Sequence, residues 1–316
     1  MDNELLLFDR IEKIKQIVNK YGEEKFYISF SGGKDSTVLH YLVDMALPGN
    51  KIPRVFSNTG IEYNAIVKFV KELAEKDNRF VIITPKLNIK QMLEKVGYPF
   101  KSKEHSTKLD QFQRGSRAKS IIEYINNDGL KTKFCCPKIL KYQFSNDFKL
   151  KVSPYCCHEL KKKPFKKWAK DNNKPITITG MRKEEGGQRT NINCVVTKNN
   201  EIVKFHPLVV VSEDWEEWFI NKYNIQLCEL YYQPYNFKRT GCKGCPFAPD
   251  LQEQLDIIEK LLPNERKQCE FIWKPVYAEY RRIGYRLKPY KQLSLFNKDK
   301  WYASSNINTQ VKERMW

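Results

Sequence analysis

The sequence holds no apolar run near the roughly 18 residues that a membrane helix needs. A secretory leader is not expected: Asp2 and Glu4 stand where a leader carries positive charge, and no small-residue cleavage site follows. No membrane span and no export are expected, and the reading is a cytoplasmic protein. Repeats are missing, apart from a Cys-Cys pair that occurs at Cys135 and again at Cys156, and there is no low-complexity linker. Acidic residues are scarce: 37 Asp+Glu face 56 Lys+Arg, a net charge of +19. Such an excess points to an anionic partner, with a plain solubility surface as the bland alternative. Apolar residues at 41% and aromatics at 13% exclude wholesale disorder. A length of 316 residues fits one large α/β domain or a core with a smaller appendage.

What is present is an alternation of strands and helices. An amphipathic helix with Leu6, Ile11, Ile14 and Ile17 on one face comes first. Strands are expected at residues 25–30, 54–57 and 80–84, with helices at 37–45, 62–74 and 89–96 between and after them. That order implies a parallel sheet with helices on both faces. Residues 97–154 read as an insertion with one helix near 120–126. Strands return at 175–180 and from 202, and a helix covers 214–223. Beyond about residue 230, a Pro- and Cys-bearing turn region precedes helices near 251–262 and 264–283, and the tail past Lys288 is polar. The chain divides into a nucleotide-binding α/β domain, 1–229, and a small helical and Cys-bearing C-terminal region, 230–316.

Ser31-Gly32-Gly33-Lys34-Asp35-Ser36 runs from the first strand into a helix. Glycines let the backbone turn sharply and approach a ligand. The helix start offers free N–H groups and the positive dipole end. Ser31 and Ser36 add hydroxyls and Lys34 a point charge. This is a cradle for phosphate, pyrophosphate or sulfate. It is not a Walker loop, which is longer and ends in Gly-Lys-Ser/Thr.

The hexapeptide resembles the signature of the PP-loop ATP pyrophosphatases. Ser57-Asn58-Thr59-Gly60-Ile61-Glu62 is similar to the second element of the phosphoadenosine phosphosulfate reductase family. Thr179-Gly180-Met181-Arg182-Lys183-Glu184-Glu185, with Arg189 close behind, is similar to its third. Asn58 departs from the family, where Asp is frequent. The resemblance implies an adenine-nucleotide α-hydrolase-like fold and a nucleotide site at Ser31, Gly32, Gly33, Lys34, Asp35, Ser36, Ser57, Thr59, Gly60, Glu62, Gly180, Arg182 and Arg189. It implies catalytic roles for Lys34, Asp35 and Arg182. Arg182 and Arg189, on a turn past a strand, suit a bidentate clamp on phosphate or sulfate.

Nine cysteines in a cytosolic chain, an odd number, argue against a disulfide framework. Cys156-Cys157 and Cys242-Lys243-Gly244-Cys245 supply four soft ligands, suited to zinc or an iron–sulfur cluster. Their spacing resembles that of sulfonucleotide reductases that hold a [4Fe-4S] cluster, with Lys161 placed to offset thiolate charge. Cys135-Cys136 is a second metal site, a redox pair or inert. Cys194 and Cys228 read as ordinary thiols. Cys269 lies in a helical pattern, and no cysteine follows it. A mobile nucleophilic thiol of the reductase kind is therefore not expected.

Two enzymatic readings follow from the resemblance. In the first, ATP with Mg2+ adenylates an acceptor and sulfur is delivered to it; the charge suits a nucleic-acid acceptor, and a sulfur donor or redox partner protein is implied. In the second, a thiol attacks adenylyl sulfate or its 3′-phosphorylated form. A third, non-catalytic reading is a nucleotide- or DNA-binding regulatory or defence module using aromatics such as Trp215, Trp218, Tyr231, Tyr232 and Tyr235.

Overall fold

The computed structural model describes residues 2–127 and 135–289. Helix α1 (Asn3–Tyr21) starts where the Asp2 carboxylate accepts the Glu4 N–H and ends at Gly22. The sheet has six strands in the order β3-β2-β1-β4-β6-β5. Strands β1 (Phe26–Phe30), β2 (Arg54–Ser57), β3 (Phe80–Ile83), β4 (Ile176–Ile178) and β6 (Glu201–Phe205) run parallel, and β5 (Val195–Lys198) pairs antiparallel with β6. Ile28 lies opposite Arg54 on one side of β1, and Phe26 lies opposite Ile176 on the other.

Two buried clusters pack against the sheet, and β1 contributes to both. Phe26 and Ile28 pack with α1, α2 (Lys34–Ala46) and α8 (Glu213–Lys222). Phe30 packs with α3 (Asn64–Lys76), α4 (Ile89–Val96), α9 (Leu251–Leu261) and α10 (Pro263–Arg282). Residues past 230 belong to this second cluster, where Leu255 and Trp273 share a core with Phe56 and Ile66. This is the expected adenine-nucleotide α-hydrolase-like arrangement. Strand order reverses between β1 and β4, so the loops leaving those two strands diverge and open a crevice at the C-terminal edge.

The insertion is pinned at its neck. Tyr98 N–H donates to the Lys151 carbonyl and Ser153 N–H to the Tyr98 carbonyl, at 2.8 and 2.9 Å. It holds α6 (Lys119–Asn126), as expected, and also α5 (Lys103–Gln113), which apolar spacing did not show. The buried face of α5 is polar, His105, Ser106 and Asp110 beside Leu109, so no hydrophobic period marks it. His105 is held instead by the Tyr124 hydroxyl and the Gln143 amide, at 3.0 and 2.8 Å. Strand β5 was also unforeseen. A two-residue Asn199-Asn200 turn with both φ values positive joins it to β6. Asn-rich pairs favour that turn, and this was the signal available. No helix among the described residues is long and apolar enough to cross a membrane.

Candidate nucleotide site and thiol group

The phosphate loop forms because Gly32 adopts φ +71° and is buried, with Ile66 and Val70 of α3 pressed against it. A Cβ there would meet Ile66 Cγ2 at 2.9 Å, so only glycine lets α3 close on the loop. Hydroxyls tighten the turn: Ser31 Oγ and Ser36 Oγ are 3.0 Å apart, and Ser36 also donates to the Gly33 carbonyl at 2.9 Å. Lys34 opens α2. It is half-buried rather than exposed, and its ammonium pairs with Glu213 at 2.8 Å.

The third motif meets the first across the reversal point. Arg182 Nε lies 2.9 Å from Asp35, its NH1 lies 2.8 Å from Glu184, and Glu216 stands 3.3 Å away. Arg182 is buried, so in this structure it ties the two motifs together instead of reaching outward as a clamp. Glu216 is fully buried, and neither carboxyl oxygen has a hydrogen-bond partner. Burial, then the neighbouring Asp35 charge, pushes its carboxyl up to about 9, so it is neutral at physiological pH. Arg189 pairs with Glu185, and Arg239 meets the same carboxylate at 2.7 Å.

The second motif is largely self-satisfied. Glu62 accepts the Thr59 N–H at 2.8 Å and the Thr59 hydroxyl, and Lys161 lies 3.3 Å from it. Ser57 Oγ donates to the Leu160 carbonyl at 3.0 Å. Ser57, Thr59 and Glu62 thus shape the turn with their side chains, and Gly60, at φ +79°, is the exposed backbone at its tip.

A cavity of about 470 Å³ opens at the ends of β1, β2 and β4. Ser31, Ser57 and Thr179 line it together with Thr240, and Lys161, Lys162, Lys166 and Lys204 surround it. Glu62 is the single acidic residue on its wall. Its field therefore favours an anion. Thr179 Oγ1 meets His206 Nδ1 at 2.7 Å, and burial drops that imidazole to about 4, so it is neutral.

The two expected thiol pairs, 84 residues apart, lie near enough to act on each other electrostatically. Cys156 and Cys157 sulfurs are 3.9 Å apart, where β2 and the turn preceding α7 (Lys163–Asp171) meet. Cys242 and Cys245 bear on that pair electrostatically, and Lys161 bears on Cys242 and Cys157. The Cys156 thiol shares its proton with Cys157, and Lys103, Lys161 and Lys162 add to this, lowering Cys157 to about 6. Burial pushes Cys245 up to about 12. Among the described residues, no three His, Cys, Asp or Glu side chains stand in ligand geometry. The donor chemistry suits a soft metal centre: four thiols that act on one another electrostatically, with the Lys161 ammonium favouring their ionised forms.

The remaining cysteines divide as their surroundings dictate. Cys136 is buried, its N–H donating to the Tyr124 carbonyl at 2.7 Å, and its thiol is raised to about 11 by burial. Cys135 is next to it, while the preceding residues 128–134 and the tail from 290 lie outside the described residues. Cys269 is fully buried beneath Gly244, whose Cβ, were there one, would stand 2.8 Å from the sulfur. Burial raises it to about 12. Of the aromatics in the third reading, Trp215 is buried and stacks on Phe219 at 5.1 Å, a core role.

Three site residues escaped the sequence, Thr240, Glu216 and His206, and Tyr231, read there only as a possible nucleic-acid-binding aromatic, meets the phosphate loop instead. Tyr231 and Thr240 come to the loop from 197 residues or more downstream, and only the position of Thr240 just before Gly241-Cys242 hints at it. Glu216 carries a signal, an acid set between Trp215 and Trp218 on the apolar face of a helix.

The profile of the phosphoadenosine phosphosulfate reductase domain matches residues 25–248. An uncharacterized protein of Methanocaldococcus jannaschii is 24% identical over 319 residues, covering 92% of this chain. The chain spans 62% of that relative's length. Among solved structures, the phosphoadenylyl-sulfate reductase of Candida auris in its phosphate complex aligns with a TM-score of 0.40 at 13% identity, over 73% of this chain and 93% of its own. The U34-tRNA thiolase of Methanococcus maripaludis with its [4Fe-4S] cluster aligns at 0.38 and 14%, over 87% and 80%.

Proposed function

The chain belongs to the phosphoadenosine phosphosulfate reductase family of the PP-loop superfamily, and from that premise we propose that it binds ATP and adenylates an acceptor for sulfur transfer. The observation that carries this reading is the meeting of the first and third motifs at the sheet's reversal point, beside a lysine-ringed cavity. The acceptor class suggested by that ring and by the +19 charge is nucleic acid.

In this reading the loop amides and the start of α2 hold the β- and γ-phosphates, and Lys34 leaves Glu213 to join them. An acceptor oxygen attacks the α-phosphorus; the new P–O bond forms as the bond to the β-phosphate oxygen breaks, and pyrophosphate departs with the electron pair. Lys34 and the helix dipole stabilise the charge on the leaving group. Arg182, fixed by Asp35, Glu184 and Glu216, holds the two loops at a constant spacing around the reacting phosphorus. Mg2+, the usual companion of ATP, would further neutralise the phosphates. Cys156, Cys157, Cys242 and Cys245 would hold a [4Fe-4S] cluster, or zinc, which would supply soft Lewis-acid or sulfur-carrying chemistry. A sulfide donor would then attack the carbon that bears the adenylated oxygen; the C–S bond forms as the C–O bond breaks, and AMP departs with the electron pair.

The buried Cys269 argues against thiol attack on adenylyl sulfate. The test is anaerobically purified protein given ATP with candidate nucleic acids, or adenylyl sulfate with a dithiol. Pyrophosphate release stimulated by one acceptor is expected. Sulfite release that disappears in Cys269→Ser would overturn the reading in favour of a sulfonucleotide reductase.

A further inference from the structure

The Ser31 and Gly33 N–H groups bond to hydroxyls within the phosphate loop, whereas the N–H of Lys34 is bonded from outside it. The Lys34 amide donates to the Tyr231 hydroxyl at 2.9 Å, and that oxygen stands 2.6 Å from Thr240 Oγ1. The crowding is tight: a Cβ on Gly33 would find Tyr231 Oη at 3.2 Å and Thr240 Oγ1 at 3.3 Å. Tyr231 is tied to the strap that carries Cys242. Arg239 meets Glu185 of the third motif, and Lys243 N–H donates to the Ile61 carbonyl of the second at 2.9 Å. Beyond the cysteine, the Trp273 indole donates to the Lys243 carbonyl at 3.1 Å, which fixes the strap to α10. Residues 239–243 therefore touch all three nucleotide motifs, and their link to the first runs through the Tyr231 hydroxyl.

We propose that Tyr231 is a phosphate-site residue whose oxygen competes with a nucleotide phosphate oxygen for the Lys34 N–H, so that polyphosphate binding releases the strap bearing Cys242. This rests on the nucleotide reading above. An amide has one hydrogen and serves two acceptors poorly. A phosphate oxygen is the stronger acceptor because it is charged. When it takes the N–H, the Tyr231–Thr240 hydroxyl pair loses its anchor, and the strap keeps only its ties to Glu185, Ile61 and α10. Burial holds the phenol protonated, so the displaced hydroxyl remains a donor.

Tyr231→Phe keeps the ring and deletes the oxygen. By calorimetry the variant is expected to bind ATP, and pyrophosphate alone, roughly three- to tenfold more tightly, the size of one neutral hydrogen bond. A tyrosine with a merely structural role would weaken binding when altered. By amide hydrogen exchange, the strap peptide of residues 239–245 is expected to exchange faster in the variant without any nucleotide. ATP should bring the wild-type strap to that level and leave the variant unchanged. Thr240→Val, which unpins the oxygen without deleting it, should move both readings the same way by less. Binding that Tyr231→Phe weakens or leaves unchanged overturns the competition alone. A strap indifferent to the substitution overturns the coupling while nucleotide binding stands. A wild-type protein that binds neither ATP nor pyrophosphate overturns both ideas together.

Discussion

Gly180 stands so close to Asp35 that a Cβ on it would lie 2.7 Å from the Asp35 carbonyl oxygen. Backbone meets backbone there, at a junction between the loops that leave β1 and β4. The glycine is required by proximity, since its φ is ordinary. Gly180→Ala is expected to force the loops apart, costing about 1–3 kcal/mol of stability as overpacking does. Because Arg182 and Asp35 then part as well, ATP affinity should fall in the same variant. Denaturant midpoints and calorimetry check the two effects; full stability with normal binding would contradict the geometry.

Lys34 gives a cleaner separation of binding from folding. Its partner Glu213 is 54% exposed, so the pair contributes at most about 1 kcal/mol. Lys34→Ala should leave the unfolding midpoint nearly unchanged and lower ATP affinity by roughly 10- to 100-fold, the range for a hydrogen bond to a charged group. Glu213→Gln should act in the opposite direction, freeing the ammonium and tightening binding. If both variants bind ATP as the wild type does, the loop is not the phosphate site.

Glu216 predicts a pH dependence. Its carboxyl ionises near 4.5 when unfolded and near 9 when folded. Between those values the unfolded chain has lost a proton that the native state keeps. Stability from this group is therefore complete below the lower value and falls as pH rises toward 9, by at most about 1.4 kcal/mol per pH unit. In Glu216→Gln that slope disappears. The thermal midpoint of the variant should gain on the wild type from pH 5.5 to 8.5. A wild type that instead gains on the variant would mean Glu216 is ionised against Arg182.

For the thiols, Cys156→Ser, Cys157→Ser, Cys242→Ser and Cys245→Ser should each lower metal content and thermal stability together. Cys194→Ser, a partly buried thiol away from the group, should change neither. Iron, sulfide and zinc analysis after anaerobic purification, with an absorption spectrum, reads this out. Removing metal with a chelator should lower the wild-type midpoint and leave the four variants unmoved. Normal metal content in Cys242→Ser would remove the C-terminal pair from the set.

The sequence was most informative where physics is local. A strand, two glycines and a helix start in one hexapeptide announce an anion cradle, and β2 and α4 lie on the residues expected of them. It was silent where a residue's meaning depends on what arrives from far along the chain. Arg182 looks like a free surface cation until α8 brings Glu216 to it, and nothing local to Ser57 announces that its hydroxyl donates to the Leu160 carbonyl. Helix α5 escaped because hydrogen bonds, not apolar contacts, hold its inner face. Tyr231 read only as one of several binding aromatics: its contact with the loop exists only once the strap folds back over it.

The Asn199-Asn200 hairpin offers a practical handle. Because β5 runs against its parallel neighbours, its turn lies at the N-terminal edge of the sheet, opposite the nucleotide crevice. Residues 197–201 are exposed. A short tag spliced into that turn would anchor the protein to a surface or carry a dye with the crevice facing outward, and short polar hairpins of this kind accept insertions well. Immobilised that way, the molecule would leave its lysine-ringed mouth free to sample long polyanions.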